Sequence, residues 1–159
     1  MKTHKVLFIV LILFVFGQIN AQNKSAEVSS IEILLNSKNF EFIANTMIPM
    51  SGGTKNLVGS NYSITFTPEM IISNMPFYGR AYSGAAMSRD RGMRFKGKPE
   101  NFTINKNEKN FEVNATVNGK ADTYFISITV GDSGFANLSI SSSDRAVISY
   151  QGEIIKIQE

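Results

Sequence analysis

From Asn39 onward, apolar and polar side chains alternate along the chain with a period of two. The clearest segments are Tyr62–Phe66, Phe111–Val117 and Tyr124–Val130, in which the residues of one parity are all apolar. This alternation is typical of β-strands that bury one face. Because turn residues such as Pro, Gly, Asn and Asp separate the segments, the pattern predicts about eight short strands joined by tight turns.

Three local features sharpen this prediction. Met70–Met75 is apolar on both parities and ends at Pro76, which favours a central strand over an edge strand. Asn118-Gly119 is typical of a two-residue hairpin turn. The last strand, from Ala146 to about Ile157, changes its apolar parity across Gly152, which predicts a β-bulge there.

A different period precedes the strands. Val28, Ile31, Leu34 and Leu35 recur at helical spacing, and they predict one helix of about three turns that ends near Asn39. The tight turns leave no room for the long crossovers that parallel strands need. The predicted fold class is therefore α+β, mostly antiparallel β, with one N-terminal helix packed on a meander of about eight strands, either a bent sheet or a flattened barrel.

The first residues have the features of an export signal. Lys2 and Lys5 precede the apolar run Val6–Phe16, and Ala21 supplies a small residue before a cleavage point. The run is too short for a permanent membrane span. We predict a signal peptide at residues 1–21, a single exported β-rich domain at residues 22–159, and a periplasmic or secreted location.

Composition excludes several functions for the predicted mature chain. Without Lys2 and Lys5, fourteen cations face thirteen carboxylates, so the net charge is about +1 and nucleic acid is not an expected partner. His4 is the only histidine and cysteine is absent, which excludes a Ser-His-Asp triad and ordinary zinc sites. No glycine-rich phosphate loop is present, and we expect no cofactor and no metal.

The cations concentrate between Tyr78 and Lys98. This stretch holds six Lys or Arg residues and one carboxylate, Asp90, together with aromatic side chains. Such a field attracts anions, and aromatic rings offer stacking surfaces for sugars. The predicted ligand-binding residues are Tyr78, Arg80, Tyr82, Arg91, Arg94 and Phe95.

Structural interpretations of the same residues stay open. A charged loop is usually a solvated surface, and Arg80 between Gly79 and Ala81 is suited to pairing with a carboxylate or with strand-end carbonyls. Arg145, which follows Ser142-Ser143-Asp144, is expected to pair locally within a turn.

The chain resembles a known family, the exported proteins of Bacteroidetes-type bacteria grouped as domain of unknown function 4251. The Phe77–Tyr82 stretch with its Gly-Arg-Ala-Tyr core is the most specific part, and Tyr78 departs from an expected phenylalanine. Further matching positions run from the first strand to the last: Phe40, Pro49, Gly52, Gly53, Tyr62, Gly92, Phe95, Ser133, Gly134, Ala136, Leu138, Arg145, Ile148, Tyr150, Gly152 and Ile154. The resemblance implies export and one domain, and it brings no activity and no catalytic residues.

Three functions follow as hypotheses. The first is a non-enzymatic envelope module that binds an anionic or saccharide ligand, or a partner, through residues 78–98. The second is a structural or assembly protein without a small ligand. The third is a hydrolase with two carboxylates at glycosidase spacing, although the acidic residues fall mostly at turns and on the polar parity of strands, as solvated groups do.

Overall fold

The computed structural model describes residues 29–82, 92–119 and 122–157. The predicted signal peptide, Val28 and Arg91 lie outside these ranges. The described chain forms one helix and ten strands in a single antiparallel sheet. The elements are α1 (Ser30–Asn36), β1 (Phe40–Ile48), β2 (Lys55–Asn56), β3 (Ser63–Phe66), β4 (Ile71–Met75), β5 (Met93–Gly97), β6 (Pro99–Lys106), β7 (Asn110–Asn118), β8 (Thr123–Gly131), β9 (Phe135–Ser142) and β10 (Ile148–Lys156).

The helix is shorter than its apolar pattern predicts. The Ser29 side chain caps it by accepting a hydrogen bond from the Ile31 N–H at 3.2 Å. It ends at Asn36 because Lys38 adopts a left-handed backbone with φ 54°. Leu35 is fully buried, so the helix packs its apolar face on the sheet as expected. Within the described residues, no helix is long and apolar enough to cross a membrane.

The sheet curls into a nearly closed barrel. Its strand order is β5-β4-β3-β1-β10-β9-β8-β7-β6, with β2 attached to β1. Only Lys98 separates β5 from β6, so the two ends of this order are consecutive in the chain. If β5 and β6 are taken as one bent strand and β2 as a side strand, the barrel has the eight positions that the sequence predicts. The predicted class, mostly antiparallel β with one helix, is confirmed.

The barrel interior is a packed core. Buried inward residues alternate with outward ones along β7, β8 and β9, and along β1 the same alternation is interrupted once, between Ala44 and Met47. Phe40 stacks on Phe66 with ring centroids 4.6 Å apart, and Phe95 stacks on Tyr124 at 4.1 Å. The second pair joins β5 to β8, which lie on separate stretches of the sheet, and so the interior is filled by side chains.

Strand β4 is central, but it is not apolar on both faces. It pairs with β3 and with β5, as predicted. Ile71, Ser73 and Met75 are buried, whereas Ile72 is 43% exposed. The Ser73 hydroxyl donates a hydrogen bond to the Met93 carbonyl at 2.6 Å, which explains how a polar residue occupies an inward position.

The predicted bulge at Gly152 lies instead on the strand opposite it. In β10 the buried positions continue without interruption through Gly152 to Ile154. The register shifts in β1, between Ala44 and Thr46, where Ala44 pairs with Gly152. Gly152 is needed because a Cβ there would come within 1.9 Å of the Ile43 carbonyl oxygen.

The hairpin turn after β7 also starts later than the sequence predicts. Asn118 still belongs to the strand and pairs with Thr123. The turn is closed by a hydrogen bond from the Gly119 N–H to the Asp122 carbonyl at 2.9 Å. The two residues between them lie outside the described ranges.

Candidate functional site

The segment Pro76–Tyr82, here called the rim segment, follows β4 and is bound to the residues before β10. Ala81 and Arg145 form an antiparallel bridge. The Tyr82 N–H donates to the Asp144 carbonyl at 2.8 Å, and the Ala146 N–H donates to the Arg80 carbonyl at 3.0 Å. The rim segment is therefore held by backbone hydrogen bonds although it lies outside the named strands.

The start of the rim segment is anchored from the core. The hydroxyl of Tyr150, on β10, donates a hydrogen bond to the Pro76 carbonyl. Burial raises the pKa of Tyr150 above the ordinary tyrosine value. The phenol therefore stays neutral across the physiological range and remains a donor to Pro76.

The inner side of the rim segment is formed by Phe77, and Arg145 packs against it. The Arg145 guanidinium carbon lies 5.9 Å from the centroid of the Phe77 ring, and Arg145 is only 8% exposed. A Cβ on Gly79 would come within 2.6 Å of the Phe77 ring, so a larger residue at this position would displace the ring. The sequence left a structural role open for both Arg80 and Arg145, and among the described arginines Arg145 is the buried one.

The outer layer consists of three exposed side chains at alternate positions. Tyr78 is 58% exposed, Tyr82 is 70% exposed, and Arg80 between them is exposed. Within the described residues, no ion pair involves Arg80. The cation over the Tyr78 ring is Lys55 of β2, whose Nζ lies 4.4 Å from the ring centroid, and sequence reasoning missed it because Lys55 is 23 positions away in the chain. The site thus combines two phenol rings with two cations.

Arg94 and Phe95, the other predicted ligand-binding residues that the structure describes, lie on β5 and not in the rim segment. Phe95 is 8% exposed and packs in the core on Tyr124. Arg94 is exposed on β5, opposite Asn74 of β4. Arg91 lies outside the described residues. Among the predicted residues that the structure describes, Tyr78, Arg80 and Tyr82 are exposed and belong to the rim segment.

Two aspartates near the rim segment differ from the solvated carboxylates that the sequence suggests. Both carboxylate oxygens of Asp122 and the Oδ2 atom of Asp144 are buried and have no hydrogen-bond partner among the described residues. The two residues flank one backbone hydrogen bond, from the Ser143 N–H to the Thr123 carbonyl. Among the described residues, no group of three His, Cys, Asp or Glu is arranged to hold a metal ion.

Comparison with known protein families identifies the family of this chain. The family model for domain of unknown function DUF4251 matches residues 22–154, a range that includes the helix, the rim segment and almost all of β10. The chain belongs to the DUF4251 family. The description of DUF4251 names no activity, and no curated protein matches the chain.

A solved DUF4251 structure shares the fold. The crystal structure of a DUF4251 family protein from Bacteroides eggerthii DSM 20697 superposes with a TM-score of 0.61. The two sequences are 12% identical, and the match covers 78% of this chain and 83% of the other. At this identity the likeness extends to the fold alone.

Proposed function

We propose that this protein is an exported, non-enzymatic module of the bacterial envelope that binds an anionic saccharide at the rim segment. The observation that carries the proposal is the exposure of Tyr78, Arg80 and Tyr82 on a backbone held by hydrogen bonds. A fixed backbone reduces the conformational entropy that is lost when a ligand orders a loop.

The chemistry of the three side chains suits such a ligand. The phenol rings supply flat apolar surface with a hydroxyl at the edge, which fits the C–H face of a sugar ring. Arg80 and Lys55 supply donors and positive charge for a carboxylate, sulfate or phosphate group on that sugar. Arg94 and Arg91 extend the positive charge of the sequence segment 78–98.

Dextran sulfate and uncharged dextran form a matched pair of probes for this proposal. We expect the protein to be retained on dextran sulfate and to elute at lower salt when Arg80 is replaced by Gln. One exposed cation contributes on the order of 0.2–1 kcal/mol, so Arg80→Gln should weaken binding by about 1.5- to fivefold. Replacing Arg80, Arg91 and Arg94 together should abolish retention and leave the fold intact.

Lys109→Gln provides the control, because Lys109 is an exposed cation in the turn between β6 and β7. If Lys109→Gln weakens retention as much as Arg80→Gln does, the binding reflects net charge and the rim proposal is wrong. If Tyr82→Ala leaves retention unchanged, the aromatic part of the proposal is wrong. Retention of a protein partner instead of dextran sulfate would support the assembly role.

The buried carboxylate oxygens of Asp122 and Asp144 favour a second candidate, a carboxylate-dependent hydrolase. This function predicts that Asp122→Asn and Asp144→Asn each abolish hydrolysis of an anionic polysaccharide while retention on dextran sulfate persists. Absence of any reducing-end release by the wild-type protein eliminates this candidate.

A further inference from the structure

A second surface, which shares no residue with the rim segment, lies on the outer face of the barrel. Between β6 and the start of β10 this face forms an open groove of about 420 Å³. That volume falls within the range of about 300–1,000 Å³ that is common for small-molecule sites. Its polar lining residues are Asn101, Asn114, Thr116, Ser127, Ser139 and Ser141.

The sheet register arranges these residues in two rows. Asn114, Ser127 and Ser139 are direct cross-strand neighbours on β7, β8 and β9. Thr116, Phe125 and Ser141 form the next row. Neighbours within a row are about 5 Å apart and the rows are about 7 Å apart, so the groove presents an array of hydroxyl and amide groups beside the exposed apolar side chains of Phe125 and Val147.

Phe125 supplies an apolar surface within this array. It lines the groove and remains 49% exposed, although a phenylalanine on the outer face of a sheet gains nothing from contact with water. A flat ring beside hydroxyl and amide groups matches a sugar, whose ring has an apolar C–H face and a polar edge.

Asn101 is a further sign of a built site. It lines the groove with a left-handed backbone, φ 51°, at a register shift between Glu100 and Thr103 of β6. Asparagine tolerates this conformation better than most residues, and bulges of this kind redirect side chains. The side chain that the bulge directs to the groove adds another amide to the array.

The lining also excludes other ligand classes. The described residues that line the groove carry no charge, which disfavours ionic ligands. Strands β7, β8 and β9 each pair on both sides, so their backbone groups are already bonded and cannot take up an extended peptide as an added strand. Serine and asparagine each donate and accept hydrogen bonds, as sugar hydroxyls do.

We propose that this groove binds a short segment of a neutral saccharide, with Phe125 beneath a sugar ring and Asn101, Asn114 and Ser127 bonding to its hydroxyls. The site is distinct from the rim segment in both its residues and its ligand charge.

Affinity electrophoresis in gels that contain a neutral glucan, mannan, xylan or galactan tests this proposal on the whole protein. We expect at least one gel to retard the protein, and retardation to persist at high salt because no charge takes part. Phe125→Ala should weaken binding about two- to twelvefold through loss of the ring contact. Asn101→Gly, which keeps the left-handed backbone, should weaken it too.

Phe135→Ala is the matched control, because Phe135 is also an exposed phenylalanine on the outer face but does not line the groove. If Phe125→Ala and Phe135→Ala reduce the retardation equally, the binding is nonspecific adsorption to apolar surface and the proposal is wrong. Absence of retardation in all four gels would also overturn the proposal. Arg80→Gln should leave retardation by neutral polysaccharides unchanged, so failure at the groove is distinguishable from failure at the rim segment.

Discussion

Replacing Gly152 by alanine tests the close backbone approach between β1 and β10 at this residue. The added Cβ would lie 1.9 Å from the Ile43 carbonyl oxygen, whereas ordinary contacts begin near 3.4 Å. The strands β1 and β10 must therefore separate by about 1.5 Å at this point, or the ladder must break. Backbone atoms cannot relieve the overlap by changing a rotamer.

The expected cost follows from that overlap. Overpacking a core usually lowers the free energy of unfolding by about 1–3 kcal/mol. A collision with backbone atoms should cost about 3 kcal/mol or more, because the backbone cannot move aside as a side chain can. The free energy of unfolding falls by about 1–3 kcal/mol for each molar of urea. A loss of about 3 kcal/mol in that free energy therefore lowers the midpoint of urea unfolding by roughly 1–3 M. Circular dichroism at β-sheet wavelengths reports this transition.

Gly53 provides the control for this measurement. A Cβ at Gly53 meets no atom within 4 Å and its φ is not positive, so Gly53→Ala should be neutral or stabilise the protein by up to about 1 kcal/mol. If Gly152→Ala unfolds at the same urea concentration as the wild type, the close approach of β1 and β10 at this residue is refuted.

Three further changes test individual contacts. Because burial raises the pKa of Tyr150, its stabilising contribution is complete below the unfolded-state pKa of about 10 and is lost as pH rises above that value. Tyr150→Phe should therefore flatten the decline in the free energy of unfolding above pH 10, and an unchanged decline would contradict the burial of the phenol. Ser73→Ala leaves the Met93 carbonyl without its donor and should cost about 1–3 kcal/mol in urea unfolding, whereas no loss would argue against that hydrogen bond. Glu32→Gln breaks the exposed pair with Lys106 and should cost less than about 1 kcal/mol, with the difference shrinking in high salt; a larger, salt-independent loss would show that the pair is not solvated.

Alternation of apolar residues was sufficient to predict the strands because the barrel buries one face of nearly every strand. Phe111, Val113, Ala115 and Val117 all point inward, as their spacing indicates. The same reasoning failed at Ile155, since burial continues at Ile154 and the register change occurs in the partner strand. A single-strand pattern does not reveal which of two paired strands carries the extra residue.

The rim segment was predictable in part. The local sequence identified Tyr78, Arg80 and Tyr82, because small neighbours and aromatic residues cluster there. It did not reveal that Arg145 is the buried arginine, since Ser-Ser-Asp-Arg is typical of an exposed turn and the bridge to Ala81 joins residues 64 positions apart. Phe95 was predicted to bind a ligand because it lies among the cations, but it is an inward residue of β5 and is buried in the core.

The groove gave no signal in the sequence. Asn114, Ser127 and Ser139 occupy the outward parity of three strands, where such residues are usually solvated. The register between the strands shows that these three residues are adjacent. The bulge in β6 adds Asn101 to the groove.

The pairing of the first strand with the last has a consequence for biosynthesis. Phe40 lies opposite Lys156, so the ring of strands cannot be completed until β10 has left the ribosome. Contacts this distant in sequence form slowly, and partly formed sheets expose apolar surface. A nascent chain of this design therefore keeps the inward faces of β1 to β9 accessible to chaperones until β10 has emerged.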